Sequence, residues 1–208
     1  MRATACFGGF LGFLNVRAFH IVQIVGRLCS LVFWFLFAGA FNIEQIRGVS
    51  YKPEDSSDSR DATNMPILRA HNIQVDRLNT NNLVYVHKKK INKKQYVKKG
   101  DIIVCASSGS KDLVGKAAQA EEDMLVSFGA FCKIVRPKNM IDSKYLKHYF
   151  SSPAYRFIIS RLSAGANINN LRNEHIDNLE IPFPPLPIQQ KIADVLDRAS
   201  ALIEKRKT

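Results

Sequence analysis

The chain has 208 residues, enough for one domain with a substantial core or for one domain with an appendage. Its 30 Lys and Arg against 18 Asp and Glu give a formal net charge of +12, which favours a polyanionic partner, nucleic acid before an anionic membrane surface. The four cysteines are scattered without a Cys-x-x-Cys pair, which indicates neither a zinc site nor a disulfide framework and is typical of reduced thiols in a cytoplasmic protein.

Residues 1–41 differ from the rest of the chain, because they contain no acidic residue and end in the uncharged apolar run 28–41. The run is shorter than the roughly 20 residues that a spanning helix needs, and it begins too far from the N-terminus for the layout of a secretory signal. Three interpretations stay open: a signal or membrane anchor, a buried element of the fold, or an upstream frame translated from a displaced start. An anchor would make this a membrane-attached basic protein whose lysines meet anionic lipid.

Several short strands are predicted after residue 42. Residues 66–70 and 83–86 are rich in branched and aromatic side chains and flank an Asn-rich turn at 79–82. Residues 102–106 are a compact apolar run, which predicts a buried strand. A further strand is predicted over 126–135, closed by Arg136 and Pro137.

Polar and basic segments lie between these strands. Lysines crowd residues 88–99, which is typical of a solvated face and also of a strip that contacts phosphates. Residues 107–116 are small, hydroxyl-bearing and basic, which suits a loop that approaches a phosphate or a base edge closely. The spacing from Gly109 to Lys116 does not fit a Walker A loop, so nucleotide hydrolysis is unsupported.

A helical pair is predicted next. Asp142 or Ser143 can cap the first helix, and Ser152 followed by Pro153 predicts the start of the second. We expect their apolar and aromatic side chains to form core, namely Tyr145, Leu146, Tyr149, Phe150, Tyr155, Ile158, Ile159 and Leu162. The amide cluster 167–170 favours turn capping over bonding to an adenine edge.

Four prolines between residues 181 and 188 fix φ and remove backbone donors, so no helix or central strand can pass through them. An amphipathic helix is predicted beyond this proline connector. Its apolar stripe needs a partner, because a helix of about four turns is marginal alone. The stripe consists of Ile192, Val195, Leu196, Ala199, Leu202 and Ile203.

Common catalytic patterns are absent from the sequence. There is no Gly-x-Ser-x-Gly elbow, no His-Glu-x-x-His, no Asn-Pro-Pro-Tyr or Asp-Pro-Pro-Tyr methyltransferase segment and no glycine-rich dinucleotide loop. The five histidines are isolated from one another. The sequence therefore predicts a protein that is not an enzyme and uses no metal and no cofactor.

Several segments together resemble the DNA specificity (S) subunits of type I restriction-modification systems. The likeness covers about residues 42–208 and lies in Gly-Val-Ser-Tyr at 48–51, Ile-Leu-Arg-Ala-His-Asn-Ile at 67–73, Val-Lys-Lys-Gly-Asp-Ile-Ile at 97–103, Ser-Ser-Gly-Ser at 107–110 with Val-Gly-Lys-Ala at 114–117, Ser-Phe-Gly-Ala-Phe at 127–131, Tyr-Leu at 145–146 with Tyr149, Gly-Ala-Asn-Ile-Asn-Asn-Leu at 165–171, Ile-Pro-Phe-Pro-Pro-Leu at 181–186 and Gln-Gln-Lys-Ile-Ala at 189–193. Residues 1–41 do not share it.

The resemblance implies an α+β fold, with a mixed-sheet target recognition domain over 42–181. A proline connector and the start of a coiled-coil spacer helix would follow over 182–208, with 1–41 a hydrophobic segment of open status. It also implies a non-catalytic subunit that reads one half of a bipartite site on double-stranded DNA. In the family the helices dock the methyltransferase (M) subunit and, through the complex, the restriction/translocase (R) subunit.

Full-length members carry two recognition domains, so the expectation is a fragment, a truncated or rearranged gene, or a half-subunit that pairs with a second half-subunit. The alternative to a type I specificity subunit is the recognition subunit of a related (type II fused) restriction-methylation enzyme. The candidate DNA contacts are cationic or polar side chains on the predicted loops and turns: Arg69, Lys88, Lys89, Lys90, Ser108, Lys111, Lys116, Asn167 and Arg172.

Overall fold

The computed structural model describes residues 42–74, 77–165 and 170–206. Within these ranges two four-stranded sheets are followed by helices, an α+β architecture that confirms the predicted fold class. The strands are β1 Ile43–Arg47, β2 Ser56–Ser57, β3 Asn64–Leu68, β4 Val84–His87, β5 Ile102–Cys105, β6 Ala117–Gln119, β7 Ser127–Phe128 and β8 Cys132–Pro137. The helices are α1 Ser143–Ser151, α2 Pro153–Gly165, α3 Asn173–Asp177 and α4 Leu186–Lys205. The predictions for residues 1–41 lie outside the described residues.

The first sheet has the order β1-β8-β5-β6, with every neighbouring pair antiparallel. Because successive side chains of a strand point to opposite faces, β5 contributes Ile102 and Val104 to one face and Ile103 to the other. The first pair packs among helical residues such as Leu146, and Ile103 packs with Phe128 of the second sheet. The predicted buried strand is thus confirmed as a strand covered on both faces.

The second sheet has the order β2-β4-β3-β7, in which β3 pairs antiparallel with β4 and parallel with β7. The pair β3–β4 confirms the two strands predicted on either side of the Asn-rich turn. Buried Asn72 organises the connection between them: its amide nitrogen donates to the carbonyls of Asn79 and Asn81, both at 2.9 Å. Its side-chain oxygen accepts from the Arg69 amide, also at 2.9 Å.

The prediction of one strand over 126–135 is wrong, because the chain changes sheets at Gly129. β7 belongs to the second sheet and β8 to the first. Between them the Gly129 carbonyl accepts from the Cys132 amide at 2.8 Å, which closes a turn. The Gly129 amide donates to the carbonyl of Leu68 at 2.9 Å. A glycine inside an apolar strand pattern often marks such a break.

Both predicted helix starts are confirmed. The Asp142 carboxylate accepts from the backbone amides of Lys144 at 3.0 Å and Tyr145 at 2.9 Å, and the Ser152 hydroxyl accepts from the Tyr155 amide at 3.2 Å. These caps satisfy backbone donors that have no partner within the helix. The predicted core assignment also holds, since the core cluster contains Tyr145, Leu146, Phe150, Tyr155 and Ile159, with Tyr149, Ile158 and Leu162 packed against it.

The proline connector breaks the chain as predicted, and α4 begins slightly earlier than expected, at Leu186 with Pro187 in its first turn. Proline is tolerated there because the first amides of a helix have no partner within it. Gln189 and Ala193 are the buried residues of α4. All six side chains of the predicted apolar stripe are exposed.

Among the described residues, none of the helices combines the length and hydropathy needed to cross a membrane. The same ranges contain no group of three or more His, Cys, Asp or Glu side chains that could hold a metal ion.

Candidate nucleic-acid interface

Main-chain hydrogen bonds bring several of the predicted loop residues to one edge of the molecule. The Phe131 carbonyl accepts from the amides of Ala106 at 2.8 Å and Ser107 at 3.0 Å, and the Ala106 carbonyl accepts from Leu171 at 2.6 Å. The bond from Gly129 to the Leu68 carbonyl adds the end of β3 to the group. We call the surface formed by Arg69, residues 107–111, residues 129–131 and residues 170–172 the loop edge.

The loop edge contains three cationic side chains and no acidic one. Arg69, Lys111 and Arg172 are exposed, and Ser108 is half-buried. Arg172 lies 3.2 Å from the carboxylate of Glu174 just outside the edge, and both side chains are exposed, so the pair is weak. Cations of this kind are free to exchange such partners for phosphate oxygens.

Two further predicted DNA contacts, Lys116 and Asn167, are not part of the loop edge. Lys116 lies beside it, because its carbonyl accepts from the Cys105 amide at 2.8 Å, and its side chain is half-buried. Asn167 lies outside the described residues.

The lysine turn, Lys88–Lys90, lies away from the loop edge. His87 at the end of β4 pairs with Asn64 at the start of β3, whereas Arg69 follows the end of β3. The two groups of cations are therefore separated by the length of β3, about 14 Å. Arg69 and the lysine turn therefore do not form one continuous basic surface.

Two of the three lysines of the lysine turn already have partners. The Lys88 ammonium donates to the Ala62 carbonyl at 2.6 Å, and the Lys90 ammonium lies 2.6 Å from a carboxylate oxygen of Asp55. The hydrogen bond from Lys90 holds the pKa of Asp55 below its ordinary value. Lys89 is exposed and forms no ion pair within the part of the chain that the structure describes.

Lys133 fastens the Arg172 segment to the first sheet. This lysine is only 5% exposed, and its ammonium donates to the side-chain oxygens of Asn173 at 2.7 Å and Gln45 at 3.0 Å and to the Leu171 carbonyl at 3.4 Å. Two of these acceptors flank Arg172. The position of Arg172 on the loop edge thus depends on a buried charge on β8.

Burial is the main reason that the pKa of Lys133 is lowered to about 8. The negative charge of Asp177 raises the pKa of Lys133, and the positive charge of Arg47 lowers it further. Between pH 8 and the ordinary pKa of 10.5, the folded chain has released this proton while the unfolded chain still holds it. The free energy of unfolding rises with pH wherever the unfolded state binds more protons than the folded state. Lys133 therefore makes the folded chain more stable as the pH rises from 8 to 10.5.

We therefore expect the difference in free energy of unfolding, wild type minus Lys133→Met, to increase from pH 8 to pH 10. Methionine has a similar length and cannot titrate, so groups other than Lys133 contribute equally to both proteins and cancel. Urea denaturation at a series of pH values measures the difference. A difference that stays constant or falls with pH would show that the Lys133 ammonium is not depressed in the folded chain.

Sequence reasoning missed Phe131 and Lys133. Both lie within the one continuous strand that the sequence predicts over 126–135, and neither is among the predicted contacts. The glycine at 129 was the available signal for a break in that strand. No local signal pointed to Lys133, because its partners Gln45 and Asn173 are far from it in sequence.

Residues 41–208 match the family described as the type I restriction modification DNA specificity domain. The chain belongs to this family. The resemblance inferred from the sequence is thereby confirmed.

Two relatives of this type I specificity chain are much longer than it is. It is 42% identical over 162 residues to the type I restriction enzyme EcoKI specificity subunit of Escherichia coli K12, and equally identical, over the same length, to the StySPI specificity subunit of Salmonella potsdam. Each alignment covers 78% of this chain and 35% of the relative. The chain thus spans about a third of the length of these two subunits.

Solved structures share the fold of this specificity chain. The HsdS subunit from Thermoanaerobacter tengcongensis aligns with a TM-score of 0.61 at 14% identity, covering 92% of this chain and 47% of that subunit. A chain from a study of complex assembly and conformational transition in the type I R-M system aligns with a TM-score of 0.62 at 16% identity, covering 92% of this chain and 50% of that one. At these identities the likeness concerns the fold.

Proposed function

We propose that this chain is a non-catalytic, sequence-specific DNA-binding specificity subunit, or half-subunit, of a type I restriction-modification complex. It reads one half of a bipartite target on double-stranded DNA. The observation that carries the proposal is the 42% identity with two type I specificity subunits over 162 residues. The loop edge supports it with a polar, cationic surface of exposed side chains on a rigid body, as direct readout of bases requires.

The predicted contact residues divide into two roles. Ser108, on the loop edge beside the cations, and the amide of Asn167 read base edges, while Arg69, Lys111, Lys116 and Arg172 contact phosphates or guanine edges. The lysine turn, residues Lys88, Lys89 and Lys90, lies too far from the loop edge to share one base pair with it, so it contacts the duplex backbone farther along.

The chain has three parts under this proposal: the hydrophobic segment 1–41, to which no role is assigned, the target recognition domain 42–181, and the connector with the start of the spacer helix 182–208. The methyltransferase subunit, and through the complex the restriction/translocase subunit, docks on the helical part. A second half-subunit supplies the other half-site. The support is the face that α4 leaves uncovered, which carries Ile192, Val195, Leu196, Ala199, Leu202 and Ile203.

The opposite face of α4 is fastened to the recognition domain. The Gln189 side chain accepts from the Asp142 amide at 2.9 Å and donates to the Pro184 carbonyl at 2.8 Å. The Asp197 carboxylate contacts the Lys144 ammonium at 3.0 Å and the His148 ring at 2.9 Å. Because these contacts fix the rotation of the helix, its apolar stripe is held facing outward.

The test is a selection from randomised duplexes with the full chain and the methyltransferase subunit of the same system. We expect one half-site motif to be enriched, and we expect affinity for it to fall steeply between 50 and 200 mM salt because phosphate contacts release counterions. Selection without any enriched motif, under conditions where the two proteins associate, would rule out a sequence-specific reader.

A matched pair of lysine variants serves as the control for the position of the interface. Lys111 and Lys138 are both exposed, and they lie at opposite ends of the first sheet because β5 and β8 run antiparallel. Lys111→Ala should weaken binding to all duplexes and reduce the salt slope by about one unit, whereas Lys138→Ala should change neither. Equal effects would contradict the assignment of the interface to the loop edge.

A further inference from the structure

Phe131 is an exposed aromatic side chain of the loop edge. It is 68% exposed, although the neighbouring Phe128 is fully buried. Leaving a large apolar side chain in water forgoes the stabilisation that burial would give. Phe131 therefore contributes little to the core of the described body, and its ring is accessible to a partner.

The backbone holds Phe131 rigidly. Its carbonyl accepts two hydrogen bonds, from Ala106 at 2.8 Å and Ser107 at 3.0 Å, and the next residue, Cys132, is buried and donates to Gly129 at 2.8 Å. Gly129 is in turn bonded to the end of β3. An aromatic ring on such a turn is presented to a partner at little further cost in conformational entropy.

The surroundings of Phe131 favour nucleic acid over protein as this partner. The core of a protein interface is a larger apolar patch that is depleted of charge. Phe131 is instead the one large apolar exposed side chain of the loop edge, and its companions are cations, hydroxyl groups and an amide. The other large exposed apolar side chains among the described residues, such as Leu125, Met140 and Phe157, lie outside the loop edge.

We infer that Phe131 is a specificity-determining residue, whose ring contacts the C5-methyl group of a thymine in the half-site. The inference rests on the proposed function. An apolar side chain distinguishes thymine by this methyl group, the one apolar substituent on a base edge in the major groove. The cations around Phe131 position the duplex, and the ring adds a preference that phosphate contacts cannot supply.

The test compares Phe131→Ala with Met140→Ala in duplex selection, using the full chain with its methyltransferase subunit. Met140 is 54% exposed and lies beyond the opposite end of β8, so it is a matched exposed apolar site. We expect Phe131→Ala to lose the preference for thymine at one position, or at two neighbouring positions, of the motif. Its dissociation constant for the wild-type site should rise about tenfold, as a lost base contact does, while its affinity for bulk DNA stays the same. Met140→Ala should select the wild-type motif.

Substituted duplexes test the methyl contact itself. Replacing that thymine with deoxyuracil, which lacks the methyl group, should weaken binding of wild type and leave binding of Phe131→Ala unchanged. Phe131→Leu, which keeps an apolar side chain, should retain part of the preference and provides a second variant if Phe131→Ala folds poorly.

Each contrary outcome has a distinct meaning. If wild type enriches no motif, the proposed function fails and this inference fails with it. If wild type enriches a motif and Phe131→Ala enriches the same one with equal affinity, only the role of Phe131 is overturned. Loss of association with the methyltransferase subunit in Phe131→Ala would also overturn it, by placing the ring in a protein interface.

Discussion

Replacing Asp101 with alanine is expected to lower the free energy of unfolding by about 3–5 kcal/mol, the cost of breaking a buried ion pair by removing one partner. Asp101 is 1% exposed, and its two carboxylate oxygens accept from the Arg136 guanidinium, each at 2.7 Å. One of them also accepts from the Lys98 amide at 2.8 Å. The substitution would remove the carboxylate that is paired with the Arg136 guanidinium, between the start of β5 and the end of β8.

Urea denaturation of the full chain measures this loss, with Glu174→Ala as the control. Glu174 is also a carboxylate paired with an arginine, Arg172, but both side chains are exposed. Exposed pairs contribute about 0–1 kcal/mol, so the control should remain close to wild type. Similar unfolding midpoints for the two variants would show that burial does not set the strength of the Asp101 pair.

Gly48→Ala is expected to lower the free energy of unfolding by at least about 3 kcal/mol, the upper end of the usual range for overpacked sites. A methyl group at Gly48 would lie 2.0 Å from the Gly129 carbonyl oxygen and 2.8 Å from that of Phe128. These atoms belong to the backbone at the change of sheets, where Val49 also donates to Phe128 at 2.7 Å. Relief of the clash would require the chain after β1 to move away from β7.

Gly109→Ala is the matched control, because a methyl group at Gly109 would have no heavy atom within 4 Å. The free energy of unfolding of Gly109→Ala should lie within about 1 kcal/mol of the wild-type value. It should be higher than wild type if the main effect of alanine is to lower the conformational entropy of the unfolded chain. Thermal and urea unfolding of both variants provide the comparison. If Gly48→Ala were as stable as Gly109→Ala, the close approach between Gly48 and Gly129 would not constrain the fold.

Local chemistry was sufficient to predict the helix starts and the buried strand. Asp142 and the Ser152–Pro153 pair act within three residues of themselves, and β5 is apolar on both faces, so each signal is contained in a short window. The break at the prolines is equally local, since the lost donors belong to the prolines themselves. Such features can be inferred from a single sequence.

Pairing between distant segments could not be predicted in the same way. The change of sheets at Gly129 depends on Leu68 and Gly48, which come from other parts of the chain. The division of the basic residues into a loop edge and a lysine turn likewise follows from the antiparallel register of β3 and β4. The sequence identified residue types suited to DNA, and the pairing of strands decided which of them are neighbours.

The main-chain hydrogen bonds of the loop edge have a consequence for how recognition can diversify. Phe131 and Ser107, and likewise Ala106 and Leu171, are joined through carbonyls and amides rather than through side chains. Any residue other than proline can form these bonds, so the exposed side chains at this edge can be exchanged with little loss of attachment. If the loop edge reads bases as proposed, new base preferences can arise by substitution on an unchanged frame, provided that Gly48, Asp101 and Arg136 are kept.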